Sequence, residues 1–404
     1  MAKNLKLGGK PNGSTAWRTI KGSTLFYTDE DGIYEGVPSE VICSTSKTTT
    51  NKDGLIVTVE ADTSAIDYSD DVDGALRNED DGENFLFNSG WLGAEKPTDW
   101  NTGFAGGVIS IESSINGGLI SARRFQASSN RQTLYRDFDF VSGTTYFCSV
   151  LLEAVITPVS IQEIIFFNST GTRTYFEDGV EVTGTTLLSM GKEYGAKFVA
   201  TATATNQMRI GCGTAGNATG DVTISAPQLE IGEKRTSTII SPTGATGVRG
   251  KDQLTGIGRE DLFNSVEGVL SFESSIFTDA GSNKEIMLYG DVDNFITAYY
   301  QSGFNRVTIR HKSSGVSAYL YTGTFDVTQR TSIAMYYNSN VLRIYKDGVL
   351  VDEDLSITPL ANGAIQELRM KSHTGTNIFF GKIQELTVYK NIQSAVNDGL
   401  TYLQ

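Results

Sequence analysis

From Asn84 onward the chain repeats one device: a short run alternating apolar with polar residues, then a cluster of Gly, Asn, Ser or Thr. GVISIESS, QTLYRDFDFV, TTYFCSVLLEAV, QMRIGCGTA and DVTISAPQLEIG carry it to about Thr243. It restarts near Leu262 with GVLSFESSIF, NFITAYYQ, NRVTIRHKS, VSAYLYTGTF, VLRIYKDGVLVDED and IFFGKIQELTVYKN. Side chains alternate faces along a strand, so each run has one apolar face to bury. Many such strands close as two sheets packed face to face, which predicts antiparallel β-sandwiches on both sides of the break. A Pro-marked exit and a Gly/Thr-rich linker, Pro242 to Gly258, separate the two. The predicted organisation is all-β: an extended N-terminal arm over 1–80, a first sandwich over 81–243 and a second over 244–404. The closing SAVNDGLTYLQ is the one convincing helix signal, with Ser394 placed as its cap.

Composition narrows the function classes. The 33 Lys plus Arg stand against 47 Asp plus Glu, a net charge of −14. Such a surface repels phosphate backbones and anionic membranes, so neither nucleic acid nor membrane is expected as a partner. No stretch approaches the roughly 20 apolar residues a membrane-spanning helix needs, and MAKNLKLGGKPNGSTAW lacks the apolar run of a signal peptide. Cys43, Cys148 and Cys212 are far apart in sequence, which points to buried thiols rather than a disulfide framework or a zinc site. The two histidines, His311 and His373, sit in polar surroundings and read as exposed strand-end residues. Residues 1–80 hold short irregular pieces with no face large enough to close a core. They read as an attachment arm ordered by other chains or by lying along the sandwiches.

ISAPQLEIGEKRTSTIISPTGA resembles a seam of bacteriophage virion proteins, in which a carbohydrate-binding-module-like jelly roll gives way to a laminin-G-like, concanavalin-A-like sandwich. NKDGLIVTVEADTSAIDYSDD and NFLFNSG resemble the lead-in to that jelly roll. LRIYKDGVLVDED resembles the Lys-Asp-Gly hairpin of the second domain, and FFGKIQELTVYKN its closing strand. The resemblance covers about residues 51–404. It implies a structural protein of a tailed-phage virion, a head or tail fibre, made in the bacterial cytoplasm. It also implies attachment to other virion proteins through residues 1–80 and a homo-oligomer, with a trimer favoured. Capsid decoration without glycan binding is the alternative, and a secreted glycan-active enzyme a third. No catalytic residues come with the resemblance, and no nucleophile–base motif appears, so the chain is expected not to be an enzyme.

Candidate sites are few. Asp291 and Asp293 in GDVDNF are alternate carboxylates on one strand edge and could share a calcium ion. SDDVDGALRNED partly mimics a calcium loop, with Asp71, Asp73 and Gly74 in place. Sugars stack their CH-rich faces on exposed aromatic rings. Alternation sends Tyr319 and Tyr321 to one sheet face, a candidate glycan surface, and leaves Tyr299 and Tyr300 on opposite faces. From the overall acidity, neutral or cationic sugars are the expected ligands, with weak salt dependence.

Overall fold

The computed structural model describes residues 5–8, 25–28, 34–37, 40–63, 65–69, 74–103, 107–128, 130–167, 171–213, 219–257, 263–279 and 281–403. Its elements are almost all antiparallel strands, as the alternation predicts. The chain forms two compact units, neither contiguous in sequence. One comprises 47–58 and 81–250; the other comprises 1–46, 59–80 and 251–404.

In the unit of residues 47–58 and 81–250, seven strands form one sheet and four form another, among the described residues. The long strands Thr145–Thr157 and Gly220–Ile231 pair at its centre, and Trp91, Phe125, Tyr146, Tyr194 and Ile224 are among the buried core residues. The Ala-Pro-Gln-Leu-Glu segment lies in this central strand. Ala226 sits at positive φ (46°) and Pro227 has no N–H to give, so the ladder slips between Ser149 and Leu151 and forms a bulge. Asn84 bridges the irregularity, donating to the carbonyls of Pro227 (3.2 Å) and Ile239 (2.8 Å) while accepting from Leu229 N–H (3.0 Å). Gln228 holds the outgoing chain by accepting from Ile239 N–H (2.8 Å) and donating to Ser237 O (3.0 Å). The seam is thus a structural latch. Trp91 and Trp100 meet edge to face at 5.3 Å inside the core, and the loop between them is held by Arg123. That buried guanidinium donates to the carbonyls of Trp91 (2.6 Å), Ala94 (2.7 Å) and Glu95 (3.1 Å).

In the other unit an eight-stranded and a five-stranded sheet enclose the core, counting described residues. The larger sheet includes Gly268–Ile276, Thr331–Tyr337, Leu342–Lys346, Val349–Asp354 and Gly381–Tyr389. Its inward row includes Leu270, Phe272, Ile333, Met335, Ile344, Leu386 and Val388. Its outward row, with Val269, Tyr336, Tyr345 and Tyr389, packs under Ala395 and Leu403 of the C-terminal helical segment. The helix Ile392–Asn397 is capped by Asn391, whose side chain accepts from Ser394 N–H at 2.8 Å. Ser394, expected as the cap, is already inside the helix. The Lys-Asp-Gly hairpin is present: Asp347 and Gly348 both take positive φ, as a two-residue type I′ turn demands.

Part of the expected arm is integral to this unit. Ala65–Asp67 and Ala75–Asn78 pair with each other, and the second also pairs with Gly381–Tyr389; Leu76 lies fully buried in the core. Leu5–Gly8 pairs with the same long strand. The physical reason is a buried ionic network. Fully buried Asp67 accepts from Arg77 (2.8 Å), Lys382 (2.9 Å) and Ser69 (3.0 Å), and Arg77 also reaches Glu79 at 3.0 Å. Burial alone would raise the Asp67 carboxyl, but Arg77 and Lys382 reverse this and hold it well below the usual carboxylate range. The expected linker is likewise paired: Gly247–Arg249 with Gly82–Asn84 in one unit, Gln253–Thr255 with Glu40–Ile42 in the other. Asp71 and Asp73 lie outside the described residues.

All three cysteines are buried, and none forms a disulfide. His311 departs from expectation: alternation on Arg306–Ser313 turns it inward with Val307 and Ile309, and burial pushes its pKa down to about 4.

These buried groups set the acid response. His311 is neutral when folded and protonates more readily unfolded, so acidification from about pH 6.5 to 4 should remove on the order of 3 kcal/mol. Asp67 has a depressed folded pKa, so its contribution is present above the unfolded value and is lost as pH falls below about 4. Asp67→Asn leaves Arg77 and Lys382 buried without their shared anion and should cost about 3–5 kcal/mol at pH 7. Urea titrations at pH 7, 5 and 3.5 check both; an Asp67→Asn protein of wild-type stability would refute the network's role.

Candidate functional site

The five-stranded sheet runs Val316–Tyr321, Arg306–Ser313, Asn294–Gln301, Lys284–Asp291, Glu367–Arg369. Its inward residues, among them Leu320, Ile309, Ile296, Ala298, Tyr300 and Leu288, enter the core. The other face follows from register. Tyr321, Thr308, Tyr299 and Glu285 form one cross-strand row. Tyr319, Arg310, Thr297, Met287 and Arg369 form the next. Ser317, Lys312, Phe295, Tyr289 and Glu367 form a third. Strands lie about 4.8 Å apart, so the rows are roughly 15 to 20 Å long. This register is pinned at one end by Ser314 and Gly315, both at positive φ in the two-residue turn before Val316–Tyr321.

Tyr319 and Tyr321 share this face, at 43% and 40% exposure, large values for tyrosines on strands. Tyr299 is half-buried on the same face, and Tyr300 is buried in the core with its hydroxyl 2.8 Å from Ser274 Oγ. The alternation read from sequence therefore places all four. Sequence reasoning missed the cations between them. Arg306 lies over the Tyr321 ring at 4.3 Å and near exposed Phe304 at 4.9 Å; Arg310 lies 5.6 Å from the Tyr319 centroid and 5.1 Å from that of Phe295. Both guanidiniums donate to neutral acceptors: Arg306 to Gln301 Oε1 (2.8 Å), Arg310 to Ser317 Oγ (3.2 Å). The signal was present as NRVTIRHKS, whose alternate positions are Arg306, Thr308, Arg310 and Lys312.

Beside this strip lies Glu285, 7% exposed. It accepts from Asn377 Nδ2 (2.6 Å) and, at 3.5 Å, from Thr297 Oγ1. Burial raises its pKa, with Asn377, Thr297 and Arg310 opposing. His373 stacks on Phe295 with ring centroids 5.3 Å apart and planes 16° from parallel. Its basicity is lowered by burial, then by Arg310 and Lys312.

Asp291 and Asp293 lie at the turn ending this sheet. Asp291 accepts from Asn294 Nδ2 (3.0 Å) and Asp293 N–H (2.8 Å), while Asp293 pairs with Lys312 at 2.7 Å. The two carboxylates thus have separate partners. No group of three or more His, Cys, Asp or Glu able to hold a metal occurs among the described residues.

No model of a known protein family matches the sequence, and no curated protein matches it. Among solved structures, the chain is similar to the CBM40 module of the Ruminococcus gnavus IT-sialidase bound to α2,3-sialyllactose, at 11% identity and a TM-score of 0.27, covering 31% of this chain and 75% of that one. It is also similar to domain 4 of AbnA, a GH43 extracellular arabinanase from Geobacillus stearothermophilus, in complex with arabinotriose. There the identity is 15% and the TM-score 0.31, with 41% of this chain and 82% of that one covered.

Glu285 is expected to cost stability when ionised. Its folded pKa is raised, so the penalty is absent below the unfolded value near 4.3 and is complete above the folded one. Glu285→Gln keeps an acceptor for Asn377 and should raise the melting temperature at pH 8 but not at pH 4. Equal shifts at both pH values would show that charge is not the cause.

Proposed function

We propose that this is a glycan-binding structural protein and not an enzyme: a head or tail fibre of a tailed-phage virion that adheres through the outer face of the five-stranded sheet. The observation that carries the glycan reading is the exposure of Tyr319 and Tyr321 side by side on that face, beside half-buried Tyr299. Rings held on a sheet offer flat apolar platforms at low entropic cost, and the flanking Gln301 amide and Ser317 hydroxyl supply hydrogen-bonding groups for sugar hydroxyls. The virion reading rests on the sequence resemblance at the Ala-Pro-Gln-Leu-Glu seam and the Lys-Asp-Gly hairpin. In this reading the chain attaches to other virion proteins through its N-terminal region ahead of Ala65–Asp67, since Ala65–Asp67 and Ala75–Asn78 belong to the fold itself, and the assembled form is a homo-oligomer, a trimer by that resemblance. Calcium enters only at Asp291 and Asp293, where an ion would have to displace Lys312 from Asp293.

The test is a glycan array probed with the full-length chain, alongside antibody labelling of intact particles. Tyr319→Ala and Tyr321→Ala should each weaken binding by roughly 2- to 10-fold without lowering the melting temperature. Unchanged binding in the double variant would remove this face from the reading. A correctly assembled oligomer that labels capsids but binds no glycan would favour decoration. For the metal, a calcium-induced rise in melting temperature that Asp291→Ala, Asp293→Ala abolishes would establish the site, and no rise removes it.

A further inference from the structure

The charge of the whole chain and the charge of this face have opposite signs. With a net charge of −14 the molecule as a whole repels anions. Yet one strand aims Arg306, Arg310 and Lys312 outward at successive alternate positions, broken only by Thr308. Lys312 is neutralised by Asp293. Arg306 and Arg310 pair with no carboxylate among the described residues, and each guanidinium lies by the ring of an exposed tyrosine.

The neighbouring acids form no ion pair with them. Glu285 is buried and attracts Arg310 electrostatically, but its oxygens accept from Asn377 and Thr297 and not from a guanidinium. Asp352 accepts from Tyr321 N–H at 3.1 Å, at the strand edge rather than on the face. Leaving two guanidiniums unpaired on an acidic protein gives no stability benefit that neutral residues could not match. It does create a planar, bidentate donor pair beside stacking platforms.

We propose that the glycan this face takes is acidic, a sugar bearing carboxylates such as a uronate chain. A pyranose ring lies on Tyr319 or Tyr321, and its carboxylate is met by Arg310 or Arg306. The two arginines stand four residues apart on one strand, about 13 Å along it, a spacing suited to carboxylates on non-adjacent sugars of a chain. This inference rests on the reading of the face as a glycan site and reverses the ligand charge that overall acidity suggests.

The test uses the full-length chain and a panel of uronate- and sialate-bearing oligosaccharides, each paired with its carboxyl-reduced counterpart. Expected is binding of an acidic member at least tenfold tighter than its reduced partner, weakening as salt rises from 50 to 500 mM. Arg310→Gln and Arg306→Gln should each lose roughly 10- to 100-fold for the acidic ligand and little for a reduced one. Arg343→Gln, the same charge change on the other sheet, should alter neither, which separates a local site from net charge. Equal binding of acidic and reduced partners, or wild-type binding by both arginine variants with unchanged melting temperatures, would overturn the proposal while leaving glycan binding intact. Binding of no member by a correctly folded chain would overturn the glycan reading itself, and this inference with it.

Discussion

A strand can give the core only every second side chain, and that constraint ties the outer face of the five-stranded sheet to the stability of the unit that carries it. On Arg306–Ser313, Val307, Ile309 and His311 point inward, which obliges Arg306, Thr308, Arg310 and Lys312 to point outward. On Val316–Tyr321, burying Leu320 exposes Tyr319 and Tyr321. A one-residue slip would exchange the two sets, placing guanidiniums in the core and apolar residues in water. The positive-φ pair Ser314–Gly315 prevents it. The turn and the core thus position the face.

The opposite sheet of that unit depends on a different interaction. Its edge is completed by chain from far upstream, and Asp67 joins the two by accepting at once from Arg77 on a neighbouring strand and Lys382 on the long closing strand. Such a cluster adds little over a well-packed apolar substitute, but it fails badly when one member is removed. Its value lies in register: only one alignment of Ala75–Asn78 on Gly381–Tyr389 brings Arg77 opposite Lys382.

Strand positions, the all-β class, the Lys-Asp-Gly hairpin and the facing of four tyrosines were legible because each depends on residues close together in sequence. What was hidden depends on distant partners. Nothing within 65–78 announces a strand pairing with 381–383, so the segment reads as arm. Ser394 and Asn391 both satisfy the residue-type rule for a cap, and only the extended backbone at Asn391 decides between them. His311 looked exposed because Arg310 and Lys312 flank it, although period-two alternation sends it inward. The cationic strip was written plainly in NRVTIRHKS, but a whole-chain charge obscured what one face carries.

The discontinuity of the two units has a consequence for how the chain is made. The unit of 47–58 and 81–250 has all its residues by Gly250, whereas the other waits for Gly381–Tyr389 before Leu5–Gly8 and Ala75–Asn78 find their partner. During synthesis one unit can therefore close while upstream strands of the other still lack Gly381–Tyr389, with the edge that it will cover open to neighbouring nascent chains. Contacts spanning that much sequence form slowly. Folding of the unit with the five-stranded sheet is consequently a late step, and the interval before it is when chains on one polysome are most prone to pair with each other.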